Sequence, residues 1–179
     1  MGNNGCMGLF TRRQSGSQLS TEELEGLQTL VGARVRVLSV GRGKGAVVAA
    51  LEQDFAVRRT EWELIGWHEI QHGAWDSDTS ELEWHLVAGD PGRVTLTEPG
   101  NLPEVFVAQV GRTIVVQHRL VVPDDLGNVV IAGRQALGPG APVVWLVQAS
   151  GRTDLEDPRV ELFVLEQTGR LKEEYEAAR

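Results

Sequence analysis

The sequence predicts a mainly β chain of the α+β class, and three observations lead to this prediction. Between residues 34 and 96, short runs of apolar residues recur and are separated by tight turns. A helical pattern follows near residue 101, and then come three more strand patterns and a last helix. The length of 179 residues fits one domain, or two very small ones. We therefore expect the order helix, seven strands, helix, three strands, helix.

The first helix is predicted at residues 20–32, after a flexible tail at 1–19 that is rich in Gly, Ser, Gln and Arg. Ser20 and Glu23 have the spacing of a capping box, which marks a helix start. Gly32 supplies the stop. The apolar residues of one helical face are Leu24, Leu27 and Val31. A short amphipathic helix of this kind is expected to dock on the body of the protein.

Seven short strands are predicted in the next 65 or so residues, and a helix that begins at Asn101 with Pro103 in its first turn completes the region 34–112. Tight turns are expected at Gly41–Gly45 and at Asp90–Gly92. The strands are predicted around Val35, Val37 and Val40; 46–51; 55–59; Trp62 and Leu64; Trp67 and Ile70; Leu82, Trp84 and Leu86; and Val94 and Leu96. Such spacing predicts a closed or nearly closed β-barrel, or a sandwich.

The region 113–179 predicts a three-stranded extension with a C-terminal helix. Its strands are predicted at residues 113–122, 129–132 and 143–148. Asp157 is a suitable N-cap, and Pro158 is suitable for the first helical position. The apolar face of this helix consists of Val160, Phe163, Val164, Leu171 and Tyr175. The sequence leaves open whether these strands continue a sheet of the preceding region or form a separate lobe.

The order of seven short strands and a helix resembles the pleckstrin-homology-like (PH-like) architecture, in which two orthogonal sheets pack together and the helix closes one end. Within residues 45–86, a W-x-E-I-x-x-A-x-W-D stretch is matched by Trp67, Glu69, Ile70, Trp75 and Asp76. The strand VVQHRLVV and the segment WLVQASGRTDLEDPRV also match. Over about residues 34–175 the chain resembles small PH-like proteins of high-GC Gram-positive bacteria. The resemblance implies a PH-like barrel with a capping helix, followed by a β-β-β-α extension.

The first predicted hairpin is a candidate site for an anionic group. Residues 34–44 contain four basic residues and no acidic one. In eukaryotic PH domains, basic residues of the first hairpin hold an inositol phosphate, and the resemblance therefore implies such a site here. The candidate residues are Arg36, Arg42 and Lys44. An anionic lipid headgroup, and with it a peripheral membrane surface, is thus one alternative partner.

Residues 68–72 read H-E-x-x-H, the zinc peptidase pattern in which two histidines bind the metal and the glutamate activates a water molecule. A zinc hydrolase with His68 and His72 as ligands and Glu69 as the base is therefore a second alternative. The pattern requires a helix, because residues four apart on a strand lie more than about 12 Å apart. Gly66 and Gly73 flank the motif and favour a strand and a turn instead. We therefore predict no metal site here.

Four of the five tryptophans lie between residues 62 and 84. Trp84 alternates with Leu82 and Leu86, which predicts a place in the core. Trp67 and Trp75 flank a predicted turn, and exposed aromatic residues are frequent anchors at interfaces. We therefore choose Trp67 and Trp75 as candidate contacts to a protein or peptide partner.

Composition narrows the class of function. The net charge of −8 arises in residues 51–90, which contain ten acidic and two basic residues. An acidic chain argues against nucleic acid as a partner. The single cysteine fits the reducing cytoplasm. The main prediction is a noncatalytic intracellular binding or scaffold module, without a cofactor, that binds a protein or peptide partner. The sequence leaves the oligomeric state open.

Overall fold

A computed structural model describes residues 18–178, which form three antiparallel sheets and three α-helices. In chain order the elements are α1 Thr21–Val31, β1 Val37–Gly43, β2 Ala46–Leu51, β3 Asp54–Arg58, β4 Trp62–Gly66, a 3-10 helix Trp67–Glu69, β5 Ile70–Asp76, β6 Glu81–Leu86, β7 Gly92–Thr95, α2 Leu102–Arg112, β8 Ile114–Val122, β9 Gly127–Gln135, β10 Val143–Ser150 and α3 Pro158–Ala177. The mainly β, α+β class and the order of the elements are confirmed. None of the helices within residues 18–178 is both long and apolar enough to cross a membrane.

Strands β1 to β4 form the first sheet, and α1 covers its outer face. The predicted capping box is present: the Ser20 hydroxyl accepts the Glu23 N–H, and the Glu23 carboxylate accepts the Ser20 N–H. Gly32 ends α1 with a φ of +70°, in the left-handed region that favours glycine. Leu27 is fully buried under the helix. It packs against Val40, Val47, Ala49, Leu51 and Ala56.

The main core lies between the first sheet, the second sheet (β5, β6 and β7) and α2. Strand β2 is apolar on both faces, because its alternate residues contact α1 on one side and the main core on the other. The fully buried large side chains of this core include Val48, Phe55, Val57, Trp67, Ile70, Leu82, Leu96, Leu102 and Phe106. Helix α2 contacts both sheets through this core.

Four aromatic rings form the centre of the main core. The Phe55 ring lies 5.3 Å from Trp67, 5.2 Å from Trp84 and 5.0 Å from Phe106, measured between ring centroids. The contacts with Trp84 and Phe106 are edge-to-face, a geometry worth about 0.5–1.5 kcal/mol each beyond burial. The indole N–H of Trp67 donates to the Leu51 carbonyl at 3.0 Å. Trp67 is thereby fixed by both its ring and its polar atom.

The predicted closed barrel is wrong, because the seven strands form two separate sheets within the described residues. One isolated bridge joins the two, with Arg42 and Glu98 exchanging main-chain N–H···O bonds of 2.9 Å. On the other side, the ladder of β4 ends at Gly66 because the chain enters the 3-10 helix that directs Trp67 into the core. The observed arrangement is therefore two sheets that share one core with α2.

Strands β8 to β10 form a third sheet of their own, in the order β10-β9-β8. Within the described residues these strands do not continue either of the other two sheets. Helix α3 begins as predicted, with the Asp157 carboxylate accepting the Arg159 N–H at 2.9 Å and Pro158 in the first turn. Its apolar face covers one side of the sheet. The buried residues of that contact are Val122, Val129, Ile131, Val160 and Leu171.

Arg134 joins the third sheet to the second. The residue is 6% exposed, and its guanidinium donates to the Ile70 carbonyl at 2.6 Å and to the Gln71 carbonyl at 2.8 Å. A longer bond of 3.3 Å goes to the Thr113 hydroxyl. Burial lowers the pKa of Arg134, and among the described residues no carboxylate pairs with it. A buried cation satisfied by main-chain oxygens therefore fixes the seam between the two parts of the molecule.

Candidate functional site

Arg42, in the first hairpin, is held by Glu23 of α1. Its two terminal nitrogens lie 3.0 and 2.7 Å from the two carboxylate oxygens of Glu23, which is a bidentate pair. Its guanidinium also donates to the Gln18 carbonyl at 2.8 Å. A second arginine, Arg58, approaches the same carboxylate at 2.7 Å. We name Glu23, Arg42 and Arg58 the α1 clamp. Within the described structure Arg42 therefore docks a helix, and its guanidinium is already occupied.

The electrostatics of the α1 clamp are those of a largely buried ion pair. The Glu23 side chain is 7% exposed, whereas the Arg42 and Arg58 side chains are 29% and 31% exposed. The hydrogen bond from Arg42 lowers the pKa of Glu23 from 4.5 to about 2, against the opposing effect of burial. The same bond raises the pKa of Arg42. The Arg58 guanidinium also lies 5.5 Å from the centroid of the Trp62 ring. The clamp thus stabilises the docked position of α1.

The other two predicted cations of this region are at the surface. Arg36 pairs with Glu52 at 3.2 Å in an exposed ion pair. Lys44 is exposed beside Gly45, which has the φ of +77° that the turn requires. Arg36 and Arg42 are six residues apart on nearly extended chain, which corresponds to roughly 20 Å. The three candidate residues therefore do not converge on one phosphate-sized group.

The H-E-x-x-H residues do not lie on a helix that could hold a metal in the zinc peptidase manner. His68 and Glu69 are in the 3-10 helix, and His72 is in β5. The Glu69 carboxylate accepts the Gly66 N–H at 2.7 Å. The Nδ1 atom of His68 is buried and has no hydrogen-bond partner among the described residues. The predicted strand character of this segment is confirmed for residues 70–76, but residues 67–69 form a turn of helix instead.

His72 stacks on His85 across the second sheet. Their ring centroids are 4.3 Å apart, and the ring planes differ by 13°. The Nε2 atom of His85 lies 2.8 Å from a carboxylate oxygen of Glu83, in an exposed contact. Since the lone pair of an imidazole lies in the ring plane, stacked rings do not direct both nitrogens to one ion. Within residues 18–178, no three His, Cys, Asp or Glu side chains are grouped so that they could hold a metal ion.

The two tryptophans chosen from the sequence as partner contacts have different environments. Trp67 is 0% exposed and lies in the main core, so that its selection as a contact residue is wrong. The reason is the 3-10 helix, which turns the ring inward where a continuing strand would have left it at the edge. Trp75 is half-buried against the same core and keeps an accessible part. Trp84, at 3% exposure, is confirmed as a core residue.

A cleft of about 360 Å³ lies at the seam between the first sheet and the third. Glu52 and Gln53 form one wall, and Gln135 and Leu137 form the other, with Arg112 at the end of α2. The ionic groups of this lining are one carboxylate and one guanidinium. Their charges cancel, and the Arg112 guanidinium already donates to Gln109 at 2.7 Å. The cleft therefore presents no net charge that would select an ion.

An uncovered face of the third sheet lies on the side opposite α3, and Val121 and Val144 are exposed on it. Six of the nine exposed large apolar residues belong to the part of the chain after α2. The cross-strand register places Gln117, Ala132 and Leu146 in one row and Arg119, Val130 and Gln148 in the next. We name this surface the open face. Its residues are Gln117, Arg119, Val121, Val130, Ala132, Val144, Leu146 and Gln148.

The open face combines exposed valines with one cation. Val121 is 74% exposed and Val144 is 46% exposed. Arg119 is exposed, and no ion pair within residues 18–178 includes it. This surface was not predicted from the sequence. One signal was present in the chain: residues 143–147 of β10 are apolar on both faces, whereas the single helix that follows covers only one face of the sheet.

Helix α3 also exposes an apolar pair on its outer side. Leu162 is 67% exposed and Leu165 is 71% exposed, and their spacing places them on one face of the helix. The layer made by the third sheet and α3 therefore has exposed apolar groups on both of its outer sides.

Comparison with known proteins gives no functional assignment for this chain. No family model, curated protein or solved structure matches the chain at a significant level.

Proposed function

We propose that this protein is a noncatalytic binding module that holds a protein partner on the open face. The observation that carries the proposal is the uncovered face of the third sheet, on which Val121 and Val144 are exposed and Val130 and Leu146 are half-buried. Isolated exposed apolar residues are ordinary, but a contiguous uncovered sheet face is typical of an interaction site. Val130, Ala132 and Leu146 would form the apolar centre of the contact. Val121 and Val144 lie at opposite corners of the face, and Gln117 and Gln148 would form part of its polar rim.

The chemistry of the open face indicates what the partner presents. Its cation, Arg119, stands between Val121 and Gln117 along β8 and opposite Val130. The face contains no acidic residue. We therefore expect a partner segment that is apolar over most of the contact and carries a carboxylate that pairs with Arg119. A charge-assisted pair of this kind contributes mainly to orientation and specificity.

We propose further that β1 to β7 with α2 form a PH-like body, akin to the small PH-like proteins of high-GC Gram-positive bacteria. Support comes from the four-plus-three arrangement of antiparallel strands and from α2 packed between the two sheets. A reducing, cytoplasmic compartment is part of the same proposal, because the chain has one cysteine. Anionic lipid binding and zinc hydrolysis have less geometric support. Arg42 is engaged by Glu23, and the H-E-x-x-H residues span a 3-10 helix and a strand.

The experiment is affinity capture from an extract of the source cells, followed by binding measurements between the purified partners. Val121→Lys and Arg119→Glu change the open face, whereas Val107→Lys changes an exposed residue of α2 and is the matched control. We expect each open-face variant to weaken binding at least about tenfold, which is about 1.4 kcal/mol. The control should bind like the wild type. Binding that neither open-face variant weakens would contradict the proposal.

A further inference from the structure

The outer edge of the third sheet has a property that the other sheet edges lack. The three sheets end in the strands β1, β4, β5, β7, β8 and β10. Five of these strands contain a charged side chain, namely Arg42, Glu63, Asp76, Arg93 and Arg119. Strand β10 has the sequence VVWLVQAS, with no ionisable residue and no proline. Charges and prolines are the usual means by which an edge strand avoids pairing with another chain.

Strand β10 is also long enough for another strand to pair along it. It has eight residues, and within the described part of the chain it is hydrogen-bonded to β9 on one side, with no strand on the other. Unpaired N–H and C=O groups along such an edge favour the addition of a further strand. The protein thus presents a neutral, apolar edge strand directly beside the open face.

We propose that β10 pairs with β10 of a second copy of this chain, in antiparallel orientation about a two-fold axis at Leu146. In that register Leu146 faces its own symmetry mate on the side of the open face. On the side of α3, Trp145 faces Val147 of the second copy, and the symmetry repeats this contact. Pairs of an aromatic and a β-branched residue across strands are favourable. The strand is therefore complementary to itself around its centre.

Charge also favours a second copy as the occupant of this edge. Two neutral strands bring no like charges together. The nearest cation of the open face is Arg119 on β8, and across the two-fold axis the two Arg119 residues would be about five strand spacings apart, roughly 24 Å. This exceeds the screening length of about 8 Å at physiological ionic strength. The result is a continuous six-stranded sheet that joins two open faces into one platform. The proposed function and this pairing are tested at different residues, because Arg119 and Val121 lie on β8 whereas the pairing edge is β10.

The test is the mass of the full-length protein in solution at about 100 μM, well above a micromolar dissociation constant. We expect about 39 kDa, twice the chain mass of 19.6 kDa. Val144→Lys, on β10, should reduce the mass to that of one chain. Val121→Lys, on the same face but on β8, should leave the dimer intact. A single chain at this concentration, or a dimer that Val144→Lys does not disrupt, would overturn the inference.

A cross-link tests the register independently of any folding defect. In the Cys6→Ser background, Leu146→Cys places two thiols directly opposite each other, with Cα atoms about 4.5–5.5 Å apart, within disulfide range. We expect a covalent dimer under mild oxidation. Gln117→Cys, on β8 of the same face, is the control and should stay a single chain on a denaturing gel. Equal cross-linking at the two positions would contradict the proposed pairing.

Discussion

The α1 clamp gives the sharpest prediction of stability, through the substitution Glu23→Gln. Glu23 is 7% exposed on its side chain and is bonded to two guanidinium groups. Its pKa is lowered from 4.5 to about 2 by the hydrogen bond from Arg42. At about 1.4 kcal/mol per unit of pKa, this difference corresponds to about 3 kcal/mol. Because the arginines are about 30% exposed and partly screened by water, we expect Glu23→Gln to lower the free energy of unfolding by about 2 kcal/mol at pH 7.

The stabilisation that Glu23 provides depends on pH. The pKa of Glu23 is lower in the folded state than in the unfolded state, so that the folded state holds the ionised form more strongly. The stabilisation is therefore complete above about pH 4.5 and disappears as the pH falls through about 2. Glu23→Gln should remove this dependence, and the wild type and the variant should approach each other in stability near pH 2.

The assay is urea unfolding at pH 7 and at several values between 5 and 2.5, followed by tryptophan fluorescence. Trp62 lies against Gly26 of α1, and the fluorescence therefore also reports the docking of that helix. Glu25→Gln, an exposed glutamate of α1, is the matched control and should stay within about 0.5 kcal/mol of the wild type. A Glu23→Gln variant that is as stable as this control, with an unchanged pH profile, would refute the reasoning.

Two further predictions concern packing and the seam, and both are measured by urea unfolding. A Cβ atom at Gly73 would lie 2.5 Å from a ring carbon of Phe106, so that Gly73→Ala should lower the free energy of unfolding by about 1–3 kcal/mol. A Cβ atom at Gly111 of α2 would meet no atom within 4 Å. Gly111→Ala should therefore leave the free energy of unfolding unchanged or raise it by up to about 1 kcal/mol. Equal effects at the two glycines would contradict the close packing of α2. Arg134→Met leaves the Ile70 carbonyl without its donor and should cost about 1–3 kcal/mol. Unchanged stability would show that this bond does not hold the seam.

Elements with local signals were predictable from the sequence. The S-x-x-E spacing at Ser20 and the Asp157-Pro158 pair specify helix starts through contacts within three residues, and both starts are observed. The alternation through Trp84 predicted a buried position in the same way. Such signals depend only on residues that are close together in the chain. They can therefore be recognised from the sequence alone.

Features that join distant parts of the chain were not predictable. Glu23 meets Arg42 and Arg58 at separations of 19 and 35 residues, and nothing in the spacing of these residues indicates the contact. Arg42 was consequently expected to meet an anion from outside, whereas an acidic residue of α1 takes that place. Trp67 was chosen as a partner contact because the sequence does not reveal the 3-10 helix at 67–69, and its ring is buried in the main core.

The open face could not be predicted from the sequence for a different physical reason. A strand that is apolar on both faces predicts burial on both faces, and residues 143–147 of β10 have this pattern. In the structure α3 covers one face, and the body reaches the other at the Arg134 end. Val121 and Val144 therefore stay exposed within the described residues.

The most direct test of the central claim is the accessibility of the open face inside the source cell. Hydroxyl-radical labelling of Val121, at 74% exposure, is compared with that of Val107, at 62% exposure on α2, in cells and in the purified protein. If a partner occupies the open face, the ratio of labelling at Val121 to that at Val107 should fall several-fold in cells. An equal ratio in the two samples would contradict the account.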